Sequence, residues 1–166
     1  MIQINRQVLS FVSASFLLGC VSSDQSFKPV YSVTPSLANS IAQSSNAEAL
    51  LEQGNAKYAK KDYRGAIADY NKAIRLNPNY AKAYSDRGAV KYDLGDKQGA
   101  IADFNEAIRL NPTFANAYYN RGIVKSDLGD KQGAIADYRE SARLYQQQGK
   151  TADYEDAQNQ IRKLGG

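Results

Sequence analysis

Residues 66–80 read AIADYNKAIRLNPNY, residues 100–114 read AIADFNEAIRLNPTF, and residues 134–145 read AIADYRESARLY. The copies are offset by 34 residues, so one unit is written three times, as 47–80, 81–114 and 115–148. The second and third copies agree at about 21 of 34 aligned positions, well beyond what unrelated helices share. A period of this length marks one supersecondary unit that cannot bury its apolar face alone and therefore stacks on its neighbours.

Each unit reads as two helices. In the first helix Leu50, Gly54 and Lys57 share a face, as do Tyr84, Gly88 and Lys91, and then Tyr118, Gly122 and Lys125. A glycine inside a helix costs about 1 kcal/mol relative to alanine, so three at one offset predict close approach of another helix. The second helix supplies matching residues: Ala66, Tyr70 and Ala73; Ala100, Phe104 and Ala107; Ala134, Tyr138 and Ser141. Between the helices, Leu94-Gly95-Asp96 and Leu128-Gly129-Asp130 read as a glycine stop followed by an N-cap. Lys61 stands where those glycines stand, which predicts a left-handed residue held at a cost. Asn77-Pro78 and Asn111-Pro112 end the second helices, because the residue before proline resists the α region. Ser45 and Glu48 have capping-box spacing, which predicts that the first helix starts near Asn46 or Ala47.

Glycine, alanine, aromatic, alanine and proline at these offsets resemble the tetratricopeptide repeat (TPR) family over residues 47–148. The resemblance implies an all-α TPR solenoid of three helix-turn-helix repeats, right-handed in superhelical sense. Residues 149–166 resemble the capping helix that closes such arrays, with Thr151 as its N-cap and Tyr154, Ala157, Ile161 and Leu164 as one apolar stripe. The third copy lacks the closing Asn-Pro, so its second helix is expected to run on until Gly149. The family usually has an apolar residue just before the helix-one glycine, but here stand Gln53, Arg87 and Arg121. The second helices repeat an acid at Asp69, Asp103 and Asp137, so the arginines either reach these acids or remain independent surface charges.

The resemblance also implies a concave groove lined by the first helices. Carried over position by position, it presents Leu51, Glu52, Asn55, Tyr58 and Ala59 from repeat one. Repeat two presents Lys82, Ser85, Asp86, Ala89, Tyr92 and Asp93. Repeat three presents Asn116, Tyr119, Asn120, Ile123, Ser126 and Asp127. Asn55, Tyr58, Lys82, Asp86, Tyr92, Asn116, Tyr119 and Asn120 are the candidate contacts with a protein or peptide partner, although each is also readable as plain solvated helix surface. Chaperone-binding members of the family hold an acidic peptide C-terminus with a clamp of basic residues and asparagine. Only Asn55 matches here: Leu51, Asp86, Asn116 and Asn120 replace the lysine, asparagine, lysine and arginine. The groove acids outnumber Lys82, which favours a neutral or basic peptide.

Composition narrows the classes further. The 166 residues contain no histidine, no tryptophan and a single cysteine, Cys20. That removes histidine general bases, a conventional zinc site and any intramolecular disulfide. No metal, cofactor or small-molecule substrate is expected, and no nucleophile or paired acid marks an enzyme. The net charge of +4 comes from Lys and Arg alternating with Asp and Glu, without the basic run that nucleic acid would favour. The reading is a non-enzymatic interaction scaffold. Its alternatives are a self-associating spacer and an accessory subunit of an envelope enzyme.

The amino-terminal segment reads as an address. MIQINRQVLSFVSASFLLGCVSS has no acid, one arginine and an apolar stretch from Val8 to Leu18, too short for a membrane-spanning helix but suited to a signal peptide over 1–19. Leu17-Leu18-Gly19-Cys20 resembles a bacterial lipobox, which implies lipidation of Cys20 and anchoring in a bacterial envelope, facing the periplasm. Val21 in place of the inner-membrane retention aspartate favours the outer membrane. Cleavage after Val12-Ser13-Ala14, giving a soluble secreted form, and a plastid-type transit peptide are the alternatives. Residues 20–46 then form a Ser/Pro-rich flexible tether, with eight serines and two prolines between 21 and 46, spanning on the order of 25–30 Å.

Overall fold

The computed structural model describes residues 35–165; the signal segment, Cys20 and the first part of the expected tether lie outside the described residues. The described residues form helices and connecting turns: α1 (Pro35–Ala59), α2 (Tyr63–Leu76), α3 (Ala81–Asp93), α4 (Lys97–Leu110), α5 (Ala115–Asp127), α6 (Lys131–Gln147) and α7 (Thr151–Lys163). Helices pair as α1–α2, α3–α4 and α5–α6, each pair packs on the next, and α7 lies against α6. The fold is an all-α solenoid of three hairpins and a cap, as expected.

The glycines sit where the helices of a hairpin cross. A Cβ built on Gly54 would meet Tyr70 Cε1 at 2.5 Å, one on Gly88 would meet Phe104 at 3.0 Å, and one on Gly122 would meet Tyr138 at 2.9 Å. The aromatic ring therefore occupies the space a side chain would need. Tyr70, Phe104 and Tyr138 are almost wholly buried, flanked by Ala66, Ala73, Ala100, Ala107 and Ala134. Asp62, Asp96 and Asp130 cap α2, α4 and α6, accepting from the amides of Gly65, Gly99 and Gly133 at 2.9–3.0 Å. The turns before them hold Lys61 at φ 61°, Gly95 at 85° and Gly129 at 83°, so the lysine does adopt the left-handed conformation. Asn77 and Asn111 end their helices in extended backbone, and α6 runs 17 residues against 14 for α2 and α4.

Two boundaries differ from expectation. Helix α1 begins at Pro35, not at Asn46 or Ala47, so residues 35–46 of the expected flexible tether are helical. Proline suits a first helical turn, where its missing N–H has no intrahelical partner to lose. With the helix already under way, Ser45 donates its hydroxyl to the Ala42 carbonyl at 3.2 Å. Residues 42–46 are exposed and Ala47 is fully buried, although the helix starts 12 residues before Ala47. At the other end Thr151 is the first helical residue of α7, and Lys150 occupies the cap position without a side-chain hydrogen bond. The α7 stripe packs as expected, with Ala157 and Ile161 buried and Tyr154 and Leu164 half-buried against the third repeat. No described helix is long and apolar enough to cross a membrane.

Candidate functional site

The odd-numbered helices α1, α3 and α5 approach one another along one wall of the array, which makes that wall the inner one. Their exposed faces form the groove. Three tyrosine–aspartate hydrogen bonds tie this wall together. The Tyr58 hydroxyl donates to Asp93 Oδ2 at 2.7 Å and the Tyr92 hydroxyl donates to Asp127 Oδ2; one helix further on, Tyr119 donates to Asp156 of α7. The first two pairs join neighbouring inner helices, α1 to α3 and α3 to α5, and the third joins α5 to α7. The acceptor aspartates raise both phenols, Tyr58 and Tyr92, to about 12, since ionising either would place two anions in contact.

The predicted contact residues divide into three groups. Tyr58, Tyr92 and Asn120 line a pocket of about 180 Å³ together with Ala89, Asp93, Phe104, Ile123 and Val124. Its floor reaches the core, because Phe104 and Val124 are each about 1% exposed. Lys82 and Asp86 lie nearer the start of α3. Lys82 is exposed, its ammonium 3.9 Å from Glu52. Asp86 is half-buried and makes no hydrogen bond or ion pair among the described residues. Its burial pushes the carboxyl up to about 6, Lys82 opposing and Glu52 reinforcing the shift.

The remaining candidates are engaged within the fold. Asn55 Oδ1 accepts from the Tyr70 hydroxyl at 2.8 Å, satisfying the one polar atom of that buried ring. Asn116 Oδ1 accepts from Tyr145 at 3.3 Å. Tyr119 packs against Tyr138 and Tyr145 with ring centroids 5.4 and 6.5 Å away. With its hydroxyl on Asp156 and Gln160, Tyr119 belongs to the junction with α7 more than to an open groove. Leu51 and Ser85, expected in the groove, are instead core residues at 1% and 2% exposure. Leu51 packs in the core cluster with Tyr70, Ala83 and Val90 rather than on the inner wall. A wider hollow of about 350 Å³ at the start of α1 is lined, among the described residues, by Ser40, Ser44, Ser45 and Glu48.

Sequence reasoning left open whether the arginines before the glycines reach the repeated acids. They do. Arg87 Nε and Nη2 donate to the two oxygens of Asp103 at 2.8 and 2.6 Å, and Lys91 adds a contact at 2.8 Å. Arg121 holds Asp137 in the same fork, with Lys125 as the second cation. The guanidinium also lies 5.3 Å from the ring centroid of Tyr84 in repeat two and 5.5 Å from that of Tyr118 in repeat three. The third arm was missed. Arg87 Nη1 donates to Asn71 and Arg121 Nη1 to Asn105, each on the second helix of the preceding repeat. The signal was present in the shared separation of 16 residues, but nothing in one sequence shows that asparagine is the acceptor. Among the described residues no cluster of His, Cys, Asp and Glu is arranged to hold a metal.

Comparison with known proteins agrees with this geometry. A TPR repeat model matches residues 54–95 and 90–129, and a tetratricopeptide repeat model matches 115–148, together more than half the chain. The TPR domain of Arabidopsis OM64 is 30% identical over 73% of this chain and 98% of that domain, with a TM-score of 0.65. The first TPR of Spaghetti (RPAP3), solved bound to the HSP90 peptide SRMEEVD, is 27% identical over 74% of this chain and 92% of that one, with a TM-score of 0.67. The mouse (Mus musculus) DnaJ homolog subfamily C member 7 is 58% identical over 38 residues, but these are 23% of this chain and only 8% of that protein. The chain belongs to the tetratricopeptide repeat family.

Proposed function

We propose that this protein is a non-enzymatic adaptor that grips a segment of a partner protein in the groove lined by α1, α3 and α5. The observation that carries this reading is the pocket at the groove centre, where half-buried Ala89 and Ile123 lead to a buried apolar floor beside the unbonded amide of Asn120. An apolar floor with a few convergent polar groups is what a bound side chain needs. The similarity to TPR domains, one of them solved with a bound peptide, supports interaction as the general role. That peptide, SRMEEVD, carries three acids. Here Asp86 occupies the place of a clamp asparagine and the clamp cations are missing, so an acidic tail of that kind is a poor fit.

The finer part of the proposal concerns place. Cleavage before Cys20 and lipidation of its thiol would tether the array to a bacterial envelope, facing the periplasm, the outer membrane being favoured by Val21. The support is the sequence alone: an apolar segment of signal-peptide length followed by Leu-Leu-Gly-Cys. Mass spectrometry of the mature amino terminus tests it, since a thioether-linked lipid on Cys20 is expected and an unmodified terminus elsewhere defeats it.

Site-resolved crosslinking tests the groove. A photoreactive residue at position 120 is expected to give one discrete adduct in cells, whereas the same residue at exposed position 139 on α6 gives none. Equal adducts from both positions, or none from 120, overturn the reading. An adduct with a second copy of the chain converts it into self-association.

A further inference from the structure

The pocket at the groove centre has an acid on its rim that the fold leaves without a counter-ion. Asp93 and Asp127 occupy the same position in successive repeats, and each accepts a hydrogen bond from a tyrosine of the preceding inner helix. Asp127 is also served by Lys97, whose ammonium lies 3.7 Å from its carboxylate and 3.3 Å from its carbonyl oxygen. The residue equivalent to Lys97 one repeat earlier is Tyr63, which carries no charge to offer. Asp93 therefore has one hydrogen bond and no ion pair among the described residues. Asp86, one to two helical turns back on α3, adds a second carboxyl without an ion pair. Lys82 and Lys97 are each engaged elsewhere: Lys82 faces Glu52, and Lys97 faces Asp127.

Beside Asp93 the pocket falls away to Phe104, Ile123 and Val124, with the unbonded Asn120 amide on the opposite rim. Its 180 Å³ is the scale of a cavity that holds one benzene-sized group, so it suits a single side chain. An apolar throat with an anion at its mouth suits a side chain with an aliphatic stem and a cationic head. We infer that this pocket takes one lysine or arginine from an extended segment of a partner protein, its stem over Ile123 and Val124 and its head on Asp93. The inference rests on the groove reading above and specifies what the groove selects.

A displayed library of random dodecapeptides, selected on the full chain in detergent, tests it. The enriched peptides are expected to share a lysine or arginine at one position. Replacing that residue by norleucine in the best synthetic peptide is expected to weaken binding about tenfold. The same replacement is expected to have little effect on binding to the Asp93→Asn protein, because the partner charge is gone. A best peptide that tolerates norleucine, or a penalty that persists in Asp93→Asn, overturns the inference. If such a peptide is still displaced by Asn120→Trp, which fills the pocket mouth, the groove reading survives while the basic preference falls. If no peptide is enriched, or Asn120→Trp leaves binding intact while far-UV circular dichroism stays native, both fall.

Discussion

In repeat one the buried Asp69 is held by Lys57 and Lys72, whereas in repeat two its counterpart Asp103 is held by Arg87 and Lys91. The carboxylates are alike, each nearly inaccessible to water. Their cations are not. The side chains of Lys57 and Lys72 are 41% and 52% exposed, while those of Arg87 and Lys91 are 17% and 24% exposed. The hydrogen bond from Lys57, aided by Lys72, holds the Asp69 carboxyl below its ordinary value. Arg87 does more, because its fork leaves one nitrogen free to reach Asn71 in the preceding repeat. Gln53, at the arginine position of repeat one, is exposed and bonds no second helix among the described residues. The arginine is thus a fastener between repeats that also neutralises an acid within one, and repeat one needs only the neutralisation.

The comparison breaks most sharply at the acids themselves. Asp103→Ala leaves two poorly solvated cations facing each other and is expected to cost about 3 kcal/mol in urea unfolding. Asp69→Ala releases lysines that can turn to water and is expected to cost about 1 kcal/mol. Equal losses would show that exposure of the partners does not matter. The glycine crossings rank next. Gly54→Ala, aimed at Tyr70 at 2.5 Å, is expected to cost about 2 kcal/mol, and Gly88→Ala, at 3.0 Å from Phe104, about half as much by thermal denaturation.

Asp86 offers a test by pH. Its folded value near 6 lies above that of an unfolded aspartate, so its contribution is fully present at acid pH below the unfolded value and is lost as pH rises through about 6. Asp86→Asn is expected to flatten stability across pH 4–6 and to raise it by about 1 kcal/mol at pH 7, solvent screening of a half-buried group leaving only part of the shift's full value, read from urea midpoints at each pH. The smallest effect belongs to the first turn. Lys61→Gly relieves a left-handed lysine and is expected to gain about 0.5 kcal/mol, making repeat one match the glycines at 95 and 129.

Much of the fold was legible because its determinants are local or periodic. Glycine opposite an aromatic, aspartate after a left-handed turn and asparagine before proline each act over a few residues and recur at a known interval. The failures are of another kind. A capping-box pattern at Ser45 did not set the start of α1, which begins at Pro35, since a pattern is permissive and a proline in the first turn loses no intrahelical hydrogen bond. Leu51 and Ser85 were placed in the groove by offset, but the packing of neighbouring helices buries them. Tyr58 and Tyr92 were expected as contact residues, and nothing in the sequence showed that their hydroxyls bond aspartates of the next repeat.

The chain by itself determined the repeating hairpin, its turns, the closing helix and which residues fill the crossings, since each depends on neighbours at fixed sequence distance. Only the tertiary structure decided which charges are satisfied: that Arg87 and Arg121 fasten repeats together, that Asp127 has a lysine and that Asp93 does not. Charge pairing depends on ångström-scale distances between helices from different repeats, and those distances arise only when the helices are stacked.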